Sequence, residues 1–211
     1  MQAQAINTKV VGPDRKTVIS LDMGLYQLEK KLQMQRRDLD HLILRPVELH
    51  IVMAQLRTIG AFIDNSGIDL CWSEFGLYGS LTVRQIIDGY HVKRGENAHL
   101  ITLHDLFIMY QEGLFEADAE SYQRLEQVAI ELSDACADGE RIRVNKANAK
   151  MLETIESLGI VKKMEACDDA HATNPMFRVM QHYMRTVVEM LAFIKSVRTG
   201  DWELHLTNLE L

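Results

Sequence analysis

The chain has 211 residues, 47% of them hydrophobic, and carries a formal net charge of −7. A chain of this length and composition can bury a core without disulfides or metals, which excludes disorder of the whole chain. It has no run of about 18 consecutive apolar residues and no apolar N-terminal signal segment, so we expect neither a membrane-spanning nor a secreted protein.

The first third of the chain predicts a strand–helix–strand–helix unit over residues 17–67. Thr17–Leu21 and residues 41–45 are short runs of β-branched and aliphatic side chains, and a helical stretch separates them. Because a helix connects the two strands, we expect them to pair in parallel. Pro46 stops the second strand, and apolar residues then recur at helical spacing until the Asn-Ser-Gly break at residues 65–67.

The remainder, residues 68–211, predicts helices separated by capping signals. Ser80 is expected to cap a short helix that runs to Gly89, and an acidic helix, with eight Asp or Glu in residues 116–140, ends at Gly139. Such an acidic run typically forms a solvated face. Asn174 and the proline after it predict the start of a long helix, because proline at the first helical position loses no hydrogen bond.

These elements predict a mainly α fold with a small N-terminal parallel β component, in which a βαβ unit is followed by a helical bundle. Residues 1–16 are expected to be a poorly ordered polar lead-in, and residues 68–211 to pack on the unit formed by residues 17–67. The last predicted helix has no stop signal, and its apolar face contains Trp202, Leu206 and Leu209. We therefore expect one continuous domain that is truncated at its C-terminus, with this last apolar face poorly packed or exposed.

Two carboxylates follow the predicted strands, where a nuclease-type metal site could form. Asp22 directly follows the first strand, and Glu48 follows the second, two residues before His50. The carboxyl ends of parallel strands share one edge, so these three side chains could bind a divalent ion that activates water for phosphodiester attack. The alternative, which we favour, makes Asp22 a helix cap and Glu48 a first-turn acid stabilised by the helix dipole.

A second group of candidate metal ligands lies between residues 91 and 104. Glu96 and His99 are three residues apart and would share a helix face, which is a ligand spacing of helical di-metal proteins. Such sites need further carboxylates from neighbouring helices, and the sequence selects none. We favour capping or buried, hydrogen-bonded histidine here, and we expect no cofactor.

Several classes of protein lose support. The chain has no GxSxG, Walker or dinucleotide-binding glycine pattern, which argues against common hydrolases, NTPases and dehydrogenases. Cys71, Cys136 and Cys167 lack metal-binding or disulfide spacing and indicate reduced thiols in the cytoplasm or nucleus. The basic residues lack the aromatic interleaving of single-strand binders, and we interpret the eleven methionines as core filler rather than as a binding groove.

Short motifs spread along the chain from about residue 17 carry a family resemblance. They are residues 18–26 (VISLDMGLY), 42–45 (LILR), His50, 59–60 (IG), 66–67 (SG), 78–79 (YG), Gly89, His91, 93–94 (KR), 98–99 (AH), 193–194 (FI), Arg198, Gly200 and 202–206 (WELHL). Together they resemble an uncharacterised family of animal proteins associated with mobile elements, a domain of unknown function for which the resemblance implies derivation from a transposase.

This chain differs from that family at two places. The family has a glycine-rich or Gly-Asp turn before a Phe-His pair where this chain has residues 46–50 (PVELH), and family members continue beyond the Trp-x-Leu-His-Leu helix into an aromatic segment. The chain therefore resembles a fragment or a degenerate copy. The resemblance implies an origin, and it implies no activity for particular residues.

From these observations we expect a non-enzymatic interaction or accessory piece of a mobile-element-derived protein. Its partner would be another protein or the missing C-terminal continuation, rather than nucleic acid or a membrane. The alternative is a remnant of a metal-dependent nuclease or transposase that acts on nucleic-acid phosphodiesters, with Asp22 and Glu48 as metal ligands. Only this alternative requires a divalent metal, and it requires the two carboxylates to lie within about 4–6 Å of each other.

Overall fold

The computed structural model describes residues 9, 16–116 and 118–210. Residues 209 and 210 are described by their backbone alone. The elements of these residues, apart from a short 3-10 turn at Arg37–Leu39, are β1 (Thr17–Leu21), α1 (Met23–Gln35), β2 (Leu42–Pro46), α2 (Glu48–Ile63), α3 (Ile68–Glu74), α4 (Ser80–Ile87), α5 (Val92–Leu114), α6 (Ala119–Asp138), α7 (Arg141–Ser157), α8 (Ile160–Ala170), α9 (Pro175–Thr199) and α10 (Trp202–Glu210). Of the described residues, 78% are helical, which confirms the predicted fold class. The predicted lead-in, residues 1–16, falls outside the described residues except at positions 9 and 16.

The two strands form a parallel sheet in which α1 is the connection, as predicted. Their register runs from Thr17 opposite Leu42 to Leu21 opposite Pro46. Proline has no backbone N–H to donate to a neighbouring strand, and it is tolerated at the last position of β2 because the strand ends there. The pairing continues one residue beyond Pro46, where the Val47 N–H donates to the Leu21 carbonyl oxygen at 2.8 Å.

The apolar face of α1 is not part of the core. Leu25, Leu28 and Leu32 share one face of this helix, but they are 49%, 63% and 37% exposed. None of the side chains of α1 is buried. The helix is therefore fixed by its start, its end and the sheet rather than by its leucines.

The described residues up to His99, together with those from Val187 onward, form one compact unit. The buried face of α2 contains Leu56, Ile59 and Ile63, at the spacing that the sequence predicts. At Gly60 this helix lies against the end of α4, where an added Cβ would lie 2.1 Å from the Ile87 carbonyl oxygen. Only glycine allows this approach of two backbones.

The described residues from Leu100 to Thr186 form a second compact unit. Within it α6 and α7 pack along each other. Gly139 joins them in a left-handed conformation, with φ of 71°, and ends α6 as predicted. Lys150 donates to Glu131 across this pair at 2.5 Å, so part of the acidic face is neutralised by the neighbouring helix.

The structure differs from the sequence-based predictions at the start of α4 and at α8, and agrees with them at the last helix. Ser80 is the first residue of α4 and does not cap it; Gly79 occupies the cap position without a side-chain bond. Helix α8, which the sequence analysis did not predict, begins immediately after Gly159. At the other end of the chain, Trp202 and Leu206 are 61% and 42% exposed, as expected for this face, while the side chain of Leu209 lies outside the described residues.

In the part of the chain that the structure describes, no helix combines the length and the apolar character that crossing a membrane requires.

Candidate functional site

Asp22 lies at the end of β1 and caps α1. Its backbone is extended, and its carboxylate accepts a hydrogen bond from the Leu25 N–H at 3.0 Å. This bond satisfies one of the N–H groups that a helix start leaves without a partner. The carboxylate therefore has a structural role at this position, as our favoured alternative expects.

Glu48 is the first residue of α2, and its carboxylate forms an ion pair with Arg45 at the end of β2. A carboxylate in the first helical turn is also favoured by the helix dipole. His50 lies two residues further along α2, about half a helical turn from Glu48, and is half-buried. Among the described residues, no three His, Cys, Asp or Glu side chains are placed to share a metal ion.

Glu96 is buried in α5 and forms a two-bond ion pair with Arg198 near the end of α9. The guanidinium donates to both carboxylate oxygens, each at 2.8 Å, and Lys93 lies 3.4 Å away on the other side. These bonds, with Arg198 contributing most, hold the pKa of Glu96 below its usual range. The carboxylate predicted as a metal ligand thus joins two positions that are 102 residues apart.

His99 follows Glu96 by one helical turn and is fully buried. Its ring packs edge-on against Trp72, with 5.1 Å between the ring centroids. Burial lowers the pKa of His99 to about 4, because the charged form loses its hydration. At neutral pH this is an uncharged core histidine.

A small cavity of about 170 Å³ lies beside Glu48 in the same unit. Its wall includes His205 of α10, whose ring is stacked on the exposed Trp202 with 5.4 Å between the ring centroids. His205 Nδ1 lies 3.3 Å from Ser196 Oγ, and this hydroxyl donates to the Phe193 carbonyl oxygen at 2.7 Å. The serine is 1% exposed, so it is a structural bridge between α9 and α10 and not an accessible nucleophile.

Another candidate site is a groove in the second unit, which we call the methionine groove. It has a volume of about 440 Å³ and lies between the later part of α5, the end of α8 and the first half of α9. Its apolar lining is supplied by Leu106, Met109, Met176, Phe177, Met180 and Met184.

Tyr110 lines the methionine groove and joins two of its helices. Its hydroxyl donates to Asp168 Oδ1 at 3.1 Å, with the Met164 carbonyl oxygen 3.4 Å away, and so joins α5 to α8. Burial and the neighbouring carboxylate raise the pKa of Tyr110, so the hydroxyl stays protonated. Phe177 stacks on His171, with 4.9 Å between the centroids, and so joins the end of α8 to α9.

The methionines of this groove are accessible. Met109 is 66% exposed and Met176 is 61% exposed, while Met180 and Met184 are half-buried. The charged side chain of the lining is Glu116, and no lysine or arginine is among its described lining residues. The groove is therefore apolar, adaptable and negative at its edge.

The methionine groove was missed by the sequence analysis, which interpreted the methionines as core filler. A signal was present, because Met176, Met180 and Met184 recur every four residues and therefore share a face of α9. The opposing Met109 and the residues at the end of α8 could not be associated with that face without knowing how the helices pack.

The fold is thus that of a mainly helical protein with one small parallel sheet. The chain belongs to the family described as a domain of unknown function (DUF8702), whose sequence profile matches residues 2–210. This confirms that the resemblance is to an uncharacterised family. No match was found among curated proteins or among solved structures.

Proposed function

We propose that this chain is a non-enzymatic interaction module of a mobile-element-derived protein, and that its methionine groove binds the apolar face of a helix from a partner protein. The exposure of Met109 and Met176 at the edge of an apolar groove is the observation that carries this proposal. The motifs at residues 18–26 and 202–206 support the mobile-element origin through the resemblance described above.

A partner helix fits the chemistry of the groove. An amphipathic helix presents apolar side chains at positions i, i+3, i+4 and i+7, and an open groove with apolar walls receives such a row. Methionine side chains are unbranched and polarisable, so they adjust to partners of different shape. The four groove methionines therefore favour the side chains of a helix over a single rigid small molecule.

The charge around the groove specifies the other face of the partner. Glu116 lies in the lining, and Asp168 lies beside it on Tyr110. Residues 100–186 contain fifteen Asp or Glu and nine Lys or Arg, which gives a net charge of −6. Because opposite potentials attract and like charges disfavour the wrong partner, the helix that binds here carries lysine or arginine beside its apolar face.

The proposal is tested with labelled amphipathic peptides and fluorescence anisotropy. One peptide has leucines on one face and lysines on the other; a second replaces the lysines with glutamates, and a third scrambles the first. We expect the lysine peptide to bind at least about tenfold more tightly than the other two, because the scrambled peptide has no apolar face and the glutamates are repelled.

Three variants locate the binding site. Met109→Glu and Met176→Glu place a charge in the groove and should weaken the binding of the lysine peptide at least about tenfold, since burying an uncompensated charge is costly. Met34→Glu is the matched control, because Met34 is 83% exposed on α1 and is not a lining residue of the groove, and it should leave binding unchanged. Equal binding by all four proteins, or no binding of the lysine peptide, would refute the proposal.

A further inference from the structure

The end of α8 brings a thiol and an imidazole together at the wall of the methionine groove. Cys167 Sγ lies 3.8 Å from His171 Nδ1, and both residues line the groove. A metal–sulfur bond of about 2.3 Å and a metal–nitrogen bond of about 2.0 Å that meet at about 120° separate the two donor atoms by about 3.7 Å. The pair therefore already has the spacing of two ligands in a three-coordinate metal site.

Methionine thioethers line the same groove as this pair. Phe177 stacks on the His171 ring and so places the first turn of α9 beside it. Met176, Met180 and Met184 of the same helix line the same groove. A methionine of α9 is thus the available third ligand, and its sulfur is neutral and soft.

We propose that Cys167, His171 and one methionine of α9 form a Cu(I) site. Thiolate and thioether ligands select Cu(I), whereas Zn²⁺ takes four nitrogen, thiolate or carboxylate ligands. Among the described residues no group of three His, Cys, Asp or Glu could supply such a zinc set. The inference uses residues of the methionine groove but does not depend on the binding of a partner helix.

Binding exchanges bonds without any change of oxidation state. The Cys167 thiol loses its proton to solvent as the sulfur–copper bond forms. His171 Nδ1–H donates to the Cys167 carbonyl oxygen at 2.9 Å; on binding, Nδ1 releases this proton to solvent and Nε2 takes one up, so the neutral ring binds the metal through Nδ1. Its position beyond the last residue of α8, exposed to solvent, leaves room for this exchange.

The experiment uses the whole chain, titrated anaerobically with Cu(I) supplied as its acetonitrile complex and competed with a chromogenic Cu(I) chelator. A Cys71→Ser/Cys136→Ser protein removes the two exposed cysteines that lie outside the groove. We expect this protein to bind one Cu(I), and the further change Cys167→Ser to abolish the binding. Zn²⁺ in the same competition should bind at least about tenfold more weakly to the groove.

The thioether ligand is identified with shape-conserving changes. In the same protein, Met176→Leu, Met180→Leu and Met184→Leu keep an apolar side chain of similar size, and Met34→Leu on α1 is the control. One of the three α9 changes should lower the Cu(I) affinity at least about tenfold, since loss of an outer partner alone costs 10–100-fold. Circular dichroism verifies folding of each variant.

Three outcomes would each contradict the inference. One is a Cys71→Ser/Cys136→Ser protein that fails to compete with the chelator. The second is Cu(I) binding that survives Cys167→Ser, and the third is Cu(I) binding that is unaffected by every α9 change. Because leucine preserves the apolar lining, these results are distinguishable from failure of the peptide-binding proposal, which is tested with glutamate variants.

Discussion

The contact between α2 and α4 at Gly60 allows a quantitative prediction. A Cβ added at this residue would lie 2.1 Å from the Ile87 carbonyl oxygen and 2.7 Å from the carbonyl carbon and Cα of the same residue. All three atoms are backbone, so no side chain can rotate away and the helices must separate by about 1 Å in a close-packed core. Overpacking of this kind costs about 3 kcal/mol.

Alanine also brings a gain, because it is the better helix former. This preference stabilises the Gly60→Ala variant by about 1 kcal/mol, mainly because alanine lowers the conformational entropy of the unfolded chain. The expected net loss is about 2 kcal/mol, which corresponds to about 4–8 °C in Tm for a chain of this size. Urea unfolding followed by circular dichroism and by fluorescence of the buried Trp72 measures it.

Gly113→Ala is the matched control for this prediction. Gly113 also lies within a helix, α5, but a Cβ there would have no atom within 4 Å. This change should therefore stabilise the protein by about 0.5–1 kcal/mol. If Gly60→Ala were as stable as the parent while Gly113→Ala showed its gain, the reasoning from backbone contact would be refuted.

Three further predictions concern the residues that the sequence offered as metal ligands. Burial lowers the pKa of His99 to about 4, so below about pH 6.5 the unfolded chain takes up a proton that the folded chain does not. The free energy of unfolding should therefore fall by about 3 kcal/mol between pH 6.5 and 4. In urea titrations at several pH values, His99→Gln should make this dependence on pH shallower. The pKa of Glu96 is lowered in the folded chain, so this carboxylate stabilises the fold above its unfolded pKa near 4.5, and that stabilisation is lost as the pH falls below this value. Arg198→Gln should remove this dependence on pH and lower the free energy of unfolding by about 1–3 kcal/mol at pH 7. Asp22→Ala should lower the free energy of unfolding by about 1 kcal/mol and Asp22→Ser by far less, because serine also caps helices. Mg²⁺ or Mn²⁺ should leave the Tm of the parent and of both variants unchanged. A rise in the Tm of the parent with metal that is absent from both variants would support the nuclease hypothesis instead.

Local signals predicted much of the fold. The parallel pairing of β1 and β2 follows from two short aliphatic runs and one connecting helix, because a right-handed crossover is the ordinary solution for such a segment. The start of α9 follows from Asn174, whose side chain accepts hydrogen bonds from the Met176 and Phe177 N–H groups at 3.0 and 3.3 Å. Each signal depends on residues within one turn, so the sequence contains it in full.

The candidate sites could not be predicted in the same way because they depend on distant pairs. Glu96 and His99 share a helix face as expected, but the partner of Glu96 is Arg198, and no local pattern selects it. Likewise the spacing of Cys167 and His171 is visible in the sequence, but their closeness to the methionines of α9 results from helix packing. Propensity and capping determine elements, whereas the choice of neighbours depends on how the elements pack.

The order of the chain has a consequence for synthesis. The first compact unit combines residues up to His99 with residues from Val187, including the buried side chains of Met190 and Phe193. A ribosome makes about 5–20 residues per second, so the residues up to His99 wait roughly 4–18 s before synthesis reaches Val187. During that interval the part of this unit that is made first lacks these buried side chains. Chaperone dependence during translation should therefore concentrate in the N-terminal segment, although that segment is made first.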